Sequence, residues 1–204
     1  MKLTIISLLL AWSASILPVE SVYTIDVTKS KVNWTGYYLF SFGEHFGSIG
    51  IQDGSLKVVD QTLVSGKIVI DMKSIRTLDK GFEDKDGLGE HLKSADFFEV
   101  DKYPTAILEI TSVKPIADAP ADQPNVEVVG MLTLKGIKHE ITIPTLLTIT
   151  DEQLSAKAKF KIDRTKWNVK YNSGKYFDDI GDGAISDAIG VAFDVIAKTP
   201  IQKR

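Results

Sequence analysis

Between Leu154 and Ile162 the chain alternates without a break, with Lys157, Lys159 and Lys161 on one set of positions and Ala156, Ala158, Phe160 and Ile162 on the other. Residues two apart share a face of a strand, so this segment reads as a ribbon with one wet and one apolar side. The same period governs Gly66 to Met72, where Ile68, Ile70 and Met72 oppose Lys67, Val69 and Asp71. It returns at 32–34, 49–51, 106–110, 128–134, 141–149 and 189–195. The turn-forming pairs Asp53-Gly54, Lys135-Gly136 and Asp151-Glu152 lie between such runs at hairpin spacing. Long antiparallel strands in one domain must hide their edges, and closure into a barrel does so most completely. The expected class is all-β with short helices, an antiparallel β-barrel of about eight strands.

One stretch breaks the rhythm. From Ser74 to Pro104 the apolar residues Leu78, Phe82, Leu88, Leu92, Phe97 and Phe98 stand among charges. Leu78 to Phe82 and Leu88 to Leu92 are helical spacings, so a helical excursion over about 74–104 is expected. It either packs outside the barrel or covers an open end, and the sequence does not choose. Asp118 to Asn125, with Pro120 and Pro124, reads as a loop.

The first 21 residues read as an address. Lys2 precedes an apolar run from Leu3 to Leu17, and Pro18 ends it. That run is shorter than the roughly 20 residues a spanning helix needs, so a signal peptide over 1–21, cut after Ser21, is expected rather than a membrane anchor. Residues 22–204 then form one domain, with no stable membrane anchor after processing. Loss of Lys2 and Glu20 together leaves the formal net charge at −3, and this mild acidity argues against nucleic acid as a partner. The chain has no cysteine, which removes disulfides, thiolate catalysis, cysteine-based zinc sites and a lipidation cysteine.

Catalytic signatures are missing. There is no Gly-x-Ser-x-Gly elbow, no phosphate loop and no Gly-x-Gly-x-x-Gly. His45, His91 and His139 lack paired ligand spacing, so no metal site is expected. The loop from Asp178 to Gly183 is acidic, but a calcium loop needs carboxylates where Ile180 and Ile189 stand, and a solvated turn fits better. No catalytic residue and no cofactor is predicted.

Six motifs, in order, carry a resemblance. They are Lys31-Val32-Asn33-Trp34 with Gly43-Glu44-His45-Phe46-Gly47-Ser48-Ile49; Ile70-Asp71-Met72-Lys73-Ser74-Ile75; His91-Leu92-Lys93-Ser94-Ala95-Asp96-Phe97-Phe98; Tyr103-Pro104-Thr105-Ala106; Gly130-Met131-Leu132-Thr133-Leu134-Lys135-Gly136-Ile137; and Ile162-Asp163-Arg164-Thr165-Lys166-Trp167-Asn168. In this set the chain, from about Tyr23 to Ala197, resembles the YceI-like polyisoprenoid-binding family. The resemblance implies a lipocalin-like barrel, periplasmic or secreted in a bacterium, that holds a long-chain isoprenoid or fatty lipid. It departs where Gly89-Glu90 precede His91-Leu92, since many members carry an Arg-Asp pair there.

With that resemblance, the apolar strand faces become candidate ligand contacts. They are Trp34, Ile49, Ile68 and Ile70, then Leu108 and Ile110, Leu132, Ile141 and Ile143, Phe160, and Ile189, Val191 and Phe193. His45 and Arg164 are placed at a mouth, where a polar end would sit; Arg164 suits phosphate, or else pairs with Asp163 or Glu44. The small inward residues Gly66, Ala106, Gly130, Ala156 and Ala158 either leave room for a chain or fit the barrel's taper. The expected function is an exported carrier that encloses an amphiphilic lipid. The alternatives are a barrel enzyme of isomerase or cyclase type, and a solid-core interaction module. Self-association into a homodimer is left open.

Overall fold

The computed structural model describes residues 18–40, 43–79, 87–177 and 181–199. Nine strands are described: β1 Glu20–Ile25, β2 Lys31–Tyr38, β3 Glu44–Val59, β4 Thr62–Thr77, β5 Thr105–Pro115, β6 Val126–Leu134, β7 Ile137–Ile149, β8 Gln153–Asp163 and β9 Ile185–Lys198. One short helix, α1, spans Leu88–Lys93. Sequential strands from β2 to β9 pair antiparallel, and β2 pairs with β9, so the sheet closes on itself. The lipocalin-like barrel therefore has eight strands and one extra, β1. β1 continues the place of β2: it runs beside the far half of β3, from Glu20↔Val59 to Thr24↔Ser55, and meets β9 at Ile25↔Ala197. Ser30 bridges the gap between β1 and β2, since its hydroxyl donates to the Ile196 carbonyl and accepts from the Ile196 amide.

Turn chemistry sets the hairpins. Lys135 and Gly136, with φ of 50° and 74°, turn β6 into β7. Asp60 and Gln61, with φ of 47° and 61°, turn β3 into β4. Both pairs of positive φ match the twist of the flanking strands. The expected turn at Asp53-Gly54 is instead inside β3, one residue after a register shift between Ile51 and Asp53. A strand of sixteen residues must bend to follow a barrel, and an extra residue bends it. Gly54 is there for close approach, because a Cβ would lie 2.5 Å from Ile25 Cδ1.

Among the described residues, the region 74–104 is less helical than its spacing predicts. Residues 74–77 continue β4, and Leu78 is exposed. Phe82, the partner expected for Leu78, lies outside the described residues. The Leu88–Leu92 stripe is present on α1, with Leu92 buried, and Phe97 and Phe98 follow it inward. This segment covers the barrel end where the β2–β3, β4–β5, β6–β7 and β8–β9 connections gather. Lys135 holds it down, donating from Nζ to the carbonyls of Ala95 and Phe97. Burial pushes the Lys135 ammonium below its ordinary pKa.

The opposite end is closed by apolar side chains. Tyr23, Leu56, Val58, Leu63, Leu154, Val195 and Ala197 are all buried there, and the Tyr23 hydroxyl donates to the Thr150 carbonyl at 2.7 Å. Glu20 and Ser21 sit in the β1–β3 ladder, so a cut after Ser21 would remove its first two rungs. Among the described residues no helix is long and apolar enough to cross a membrane.

Candidate functional site

Three spaces lie in sequence along the barrel. A mouth chamber of about 300 Å³ is bounded by Trp34, Tyr38 and His45 from the β2–β3 hairpin, by Leu88, His91, Leu92 and Phe97 from the covering segment, and by Tyr171, Asn172 and Ile185. A central chamber of about 70 Å³ is lined by apolar residues from every strand position of the barrel and by Phe98. A basal chamber of about 40 Å³ follows, its one polar lining residue being Thr145. Trp34 lines both the mouth and the centre; Leu108 and Phe193 line both the centre and the base. These side chains are the partitions.

Ten of the expected contacts converge on the central chamber: Trp34, Ile49, Ile70, Leu108, Leu132, Ile141, Phe160, Ile189, Val191 and Phe193. Ile68, Ile110 and Ile143 line the basal chamber instead, one or two rungs further down. Val32, Met72, Ala106, Leu134 and Ile162 join the central wall, and period two alone would have found them. Phe98 would not have been found, since it arrives from a connection and not a strand. The mouth residues Tyr38, His91, Phe97 and Tyr171 were likewise hidden, because they meet only through the connections.

The interior is tightly filled. Phe160 and Phe193 stack with centroids 5.9 Å apart and planes 3° from parallel. Gly66 and Gly130 do not open space: a Cβ on Gly66 would lie 2.6 Å from Leu56 Cδ2, and on Gly130 2.8 Å from the Glu109 carbonyl oxygen. Their small size lets neighbouring backbone and side chains approach. Ala106 does border the centre, and Ala156 and Ala158 the base.

At the mouth, polar groups form a chain. Tyr38 Oη lies 3.0 Å from His45 Nε2, and His45 Nδ1 lies 2.8 Å from Asp79 Oδ2. Asp79 is buried and also accepts from the Phe46 amide. A carboxylate can only accept, so His45 carries its proton on Nδ1. His91, on α1, pairs with Asp96 at 3.1 Å and packs edge-on against Phe97 and Tyr171. His139 lies elsewhere, with Nε2 3.0 Å from the Lys166 carbonyl oxygen. Among the described residues, no group of three or more His, Asp or Glu is placed to hold a metal ion. Residues 178–180 of the acidic loop lie outside the described residues.

Arg164 is not a mouth residue facing ligand. It is 1 % exposed, at the start of a 3-10 turn over Arg164–Trp167. Its guanidinium donates from Nε to Ser186 O, from Nη1 to Val169 O and from Nη2 to Ile185 O, all at 3.0–3.1 Å. Among the described residues, the carboxylate within 4 Å is Asp187 at 3.9 Å, in place of the expected Asp163 or Glu44 salt bridge. Burial holds its pKa below the arginine norm, against the upward pull of Asp187 and Asp163. Three carbonyls absorb the fork that would bind a phosphate.

Comparison with known proteins places this geometry. The family described as YceI-like domain matches residues 23–197. UPF0312 proteins of Pseudomonas aeruginosa and Yersinia pestis are 29% identical to this chain over 102 and 103 residues, which is 50% of this chain and 48% of each relative. The chain thus aligns with about half the length of these curated relatives. Burkholderia cenocepacia BcnA has a similar structure, with a TM-score of 0.60 at 20% identity over 85% of this chain and 99% of that one. A polyisoprenoid binding domain from Saccharophagus degradans, implicated in plant cell wall breakdown, has a TM-score of 0.61 at 16% identity, over 87% of this chain and 98% of that one.

Proposed function

The chain belongs to the YceI-like domain family, and from that premise we propose that it binds the hydrocarbon chain of an amphiphilic lipid, isoprenoid or fatty, inside its barrel. The polar end rests in the mouth chamber. The carrying observation is the lining of the central chamber, which is apolar on every strand position and leads from the mouth toward the base. Such a wall offers a hydrocarbon about 0.8 kcal/mol for each methylene it removes from water. The Saccharophagus neighbour, described as a polyisoprenoid binding domain, supports the isoprenoid class. The apolar run behind Lys2 supports export to the periplasm or beyond, and with it a carrier role.

Binding without chemistry is the favoured reading, because among the described residues no ionisable side chain lines the central chamber. The solid-core interaction module has one observation in its favour. Chambers of 70 and 40 Å³ are smaller than the roughly 150 Å³ cavity that admits benzene. A lipid chain therefore enters by displacing the partitions, Trp34 first and then Leu108 and Phe193, whose movement joins the three spaces. Native mass spectrometry of protein purified from its own host tests the proposal. A co-purifying lipid, identified after extraction, is the expected result; a ligand-free barrel that also fails to take up long-chain lipid overturns it in favour of the solid module.

A further inference from the structure

We propose that the mouth chamber selects an uncharged, hydroxyl-bearing head group, with Tyr38 as its hydrogen-bonding contact and His45 and Asp79 as the residues that position Tyr38. This rests on the tail-binding reading above and adds the chemistry of the polar end. The chamber is roomy, at about 300 Å³, and its described lining contains no lysine, arginine, aspartate or glutamate. Phosphate and diphosphate sites rely on such cations, above all on the arginine fork.

Among the described residues, the cations close by in the chain have partners of their own, Lys161 with its Nζ 4.8 Å from the centroid of the Tyr37 ring. Arg164 is spent on three carbonyls, and Lys135 on the carbonyls of Ala95 and Phe97. Lys175 pairs with Asp163 and Asp187, each at 3.0 Å, and Lys93 pairs with Glu90. The two imidazoles do not substitute for them. Each has a carboxylate within about hydrogen-bond distance behind it, Asp79 at 2.8 Å for His45 and Asp96 at 3.1 Å for His91. Each ring is thus already paired with a carboxylate.

The chamber does offer a hydroxyl held in place. Asp79 sets the proton of His45 on Nδ1, and His45 Nε2 meets Tyr38 Oη at 3.0 Å. With the imidazole neutral, the Tyr38 proton points to Nε2 and the oxygen's lone pairs remain for a donor. With the imidazole protonated, the direction reverses and Tyr38 donates. An alcohol serves as either partner, whereas a phosphate ester matches only the second state. Around this contact the wall is aromatic, from Trp34, Phe97 and Tyr171, which suits the apolar carbon next to the head.

The test is displacement of the dye N-phenyl-1-naphthylamine from the full chain by farnesol, farnesyl phosphate and the headless farnesene. The expected order puts farnesol about tenfold tighter than farnesyl phosphate, the difference of one well-placed hydrogen bond against an uncompensated charge. Tyr38→Phe brings farnesol down toward farnesene and leaves farnesene unchanged. Asp79→Asn, which keeps the shape but frees the orientation of His45, has the same effect in smaller measure. Farnesyl phosphate binding as tightly as farnesol, or farnesol affinity unmoved by Tyr38→Phe, overturns the head-group assignment while farnesene still binds. Failure of all three to displace the dye overturns the tail-binding reading, and this one with it.

Discussion

Trp34 lies directly on Gly47. The two are register partners across β2 and β3, and a Cβ on Gly47 would sit 2.6 Å from both Cε2 and Cζ2 of the indole. On the other side it would meet the Arg76 carbonyl oxygen at 1.9 Å, the same oxygen that accepts from Trp34 Nε1 at 3.2 Å. One missing methyl group thus positions the partition between the mouth and the central chamber. Gly47→Ala is expected to lower stability by about 1–3 kcal/mol or more, as overpacking does, and to shift the tryptophan emission. A denaturant titration followed by fluorescence checks it, and an unchanged midpoint with unchanged emission contradicts it.

Val191 stands opposite Phe160 on the wall of the central chamber, one rung pair from the Phe160–Phe193 stack. Val191→Phe adds a ring to a space of about 70 Å³. We expect the barrel to remain folded, with a cost within about 1–3 kcal/mol, and to lose retention of a fluorescent long-chain lipid. Full retention at unchanged affinity would remove the central chamber from the ligand's path.

Arg164→Lys separates a structural clamp from a ligand contact. A lysine keeps the charge but cannot reach three carbonyls in a plane. The carbonyls of Val169, Ile185 and Ser186 are then left under-satisfied, at about 1–3 kcal/mol for each buried group that finds no substitute partner. The expected outcome is a large drop in urea midpoint, with the affinity of the remaining folded protein for farnesol unaltered. A stable variant with altered head-group preference would return Arg164 to the binding site.

Asp163 links stability to acid. Burial acts upward on its carboxyl, but hydrogen bonds from Thr165 and Lys175 outweigh it, and the folded pKa is held below the ordinary value. A group with a depressed folded pKa contributes its stability above the unfolded value, about 3.9 for aspartate, and loses it as pH falls through the folded pKa. Melting temperature is therefore expected to fall below about pH 4 in the wild type, and to fall less steeply in Asp163→Asn. Parallel acid limbs in the two proteins would show that this carboxylate is not linked to folding.

For the N-terminus, Edman sequencing of the exported protein is expected to begin at Val22. β1 then keeps Val22↔Lys57, Tyr23↔Leu56 and Thr24↔Ser55, together with the Tyr23–Thr150 hydrogen bond. A retained Met1 sinks the assignment of 1–21 as a cleaved leader.

The barrel was legible in the sequence because period two is a local property. Each run from Val32 to Trp34 through to Ile189 to Val195 declares which side chains share a face, and a closed sheet has only one inside. That is why ten expected contacts meet around one chamber. Strand alternation says nothing of depth along the axis, so Ile68, Ile110 and Ile143 fell to the base instead. Nor does local sequence distinguish a glycine that turns from one that is pressed. Asp53-Gly54 has turn chemistry, but Gly54 lies against Ile25, a neighbour brought in by β1 one residue beyond its last rung with β3, Thr24↔Ser55. His45 was expected at a mouth, but its neighbours there were decided by tertiary structure alone. Tyr38, His45, Asp79, His91 and Tyr171 come from four separate parts of the chain, and nothing in the spacing of one refers to another. Arg164 suited either a phosphate or a salt bridge with Asp163 or Glu44 by its chemistry. Its burial among three carbonyls depends on where the β8–β9 connection folds back, and hydrogen-bonding capacity is spent by whichever acceptors the fold delivers first.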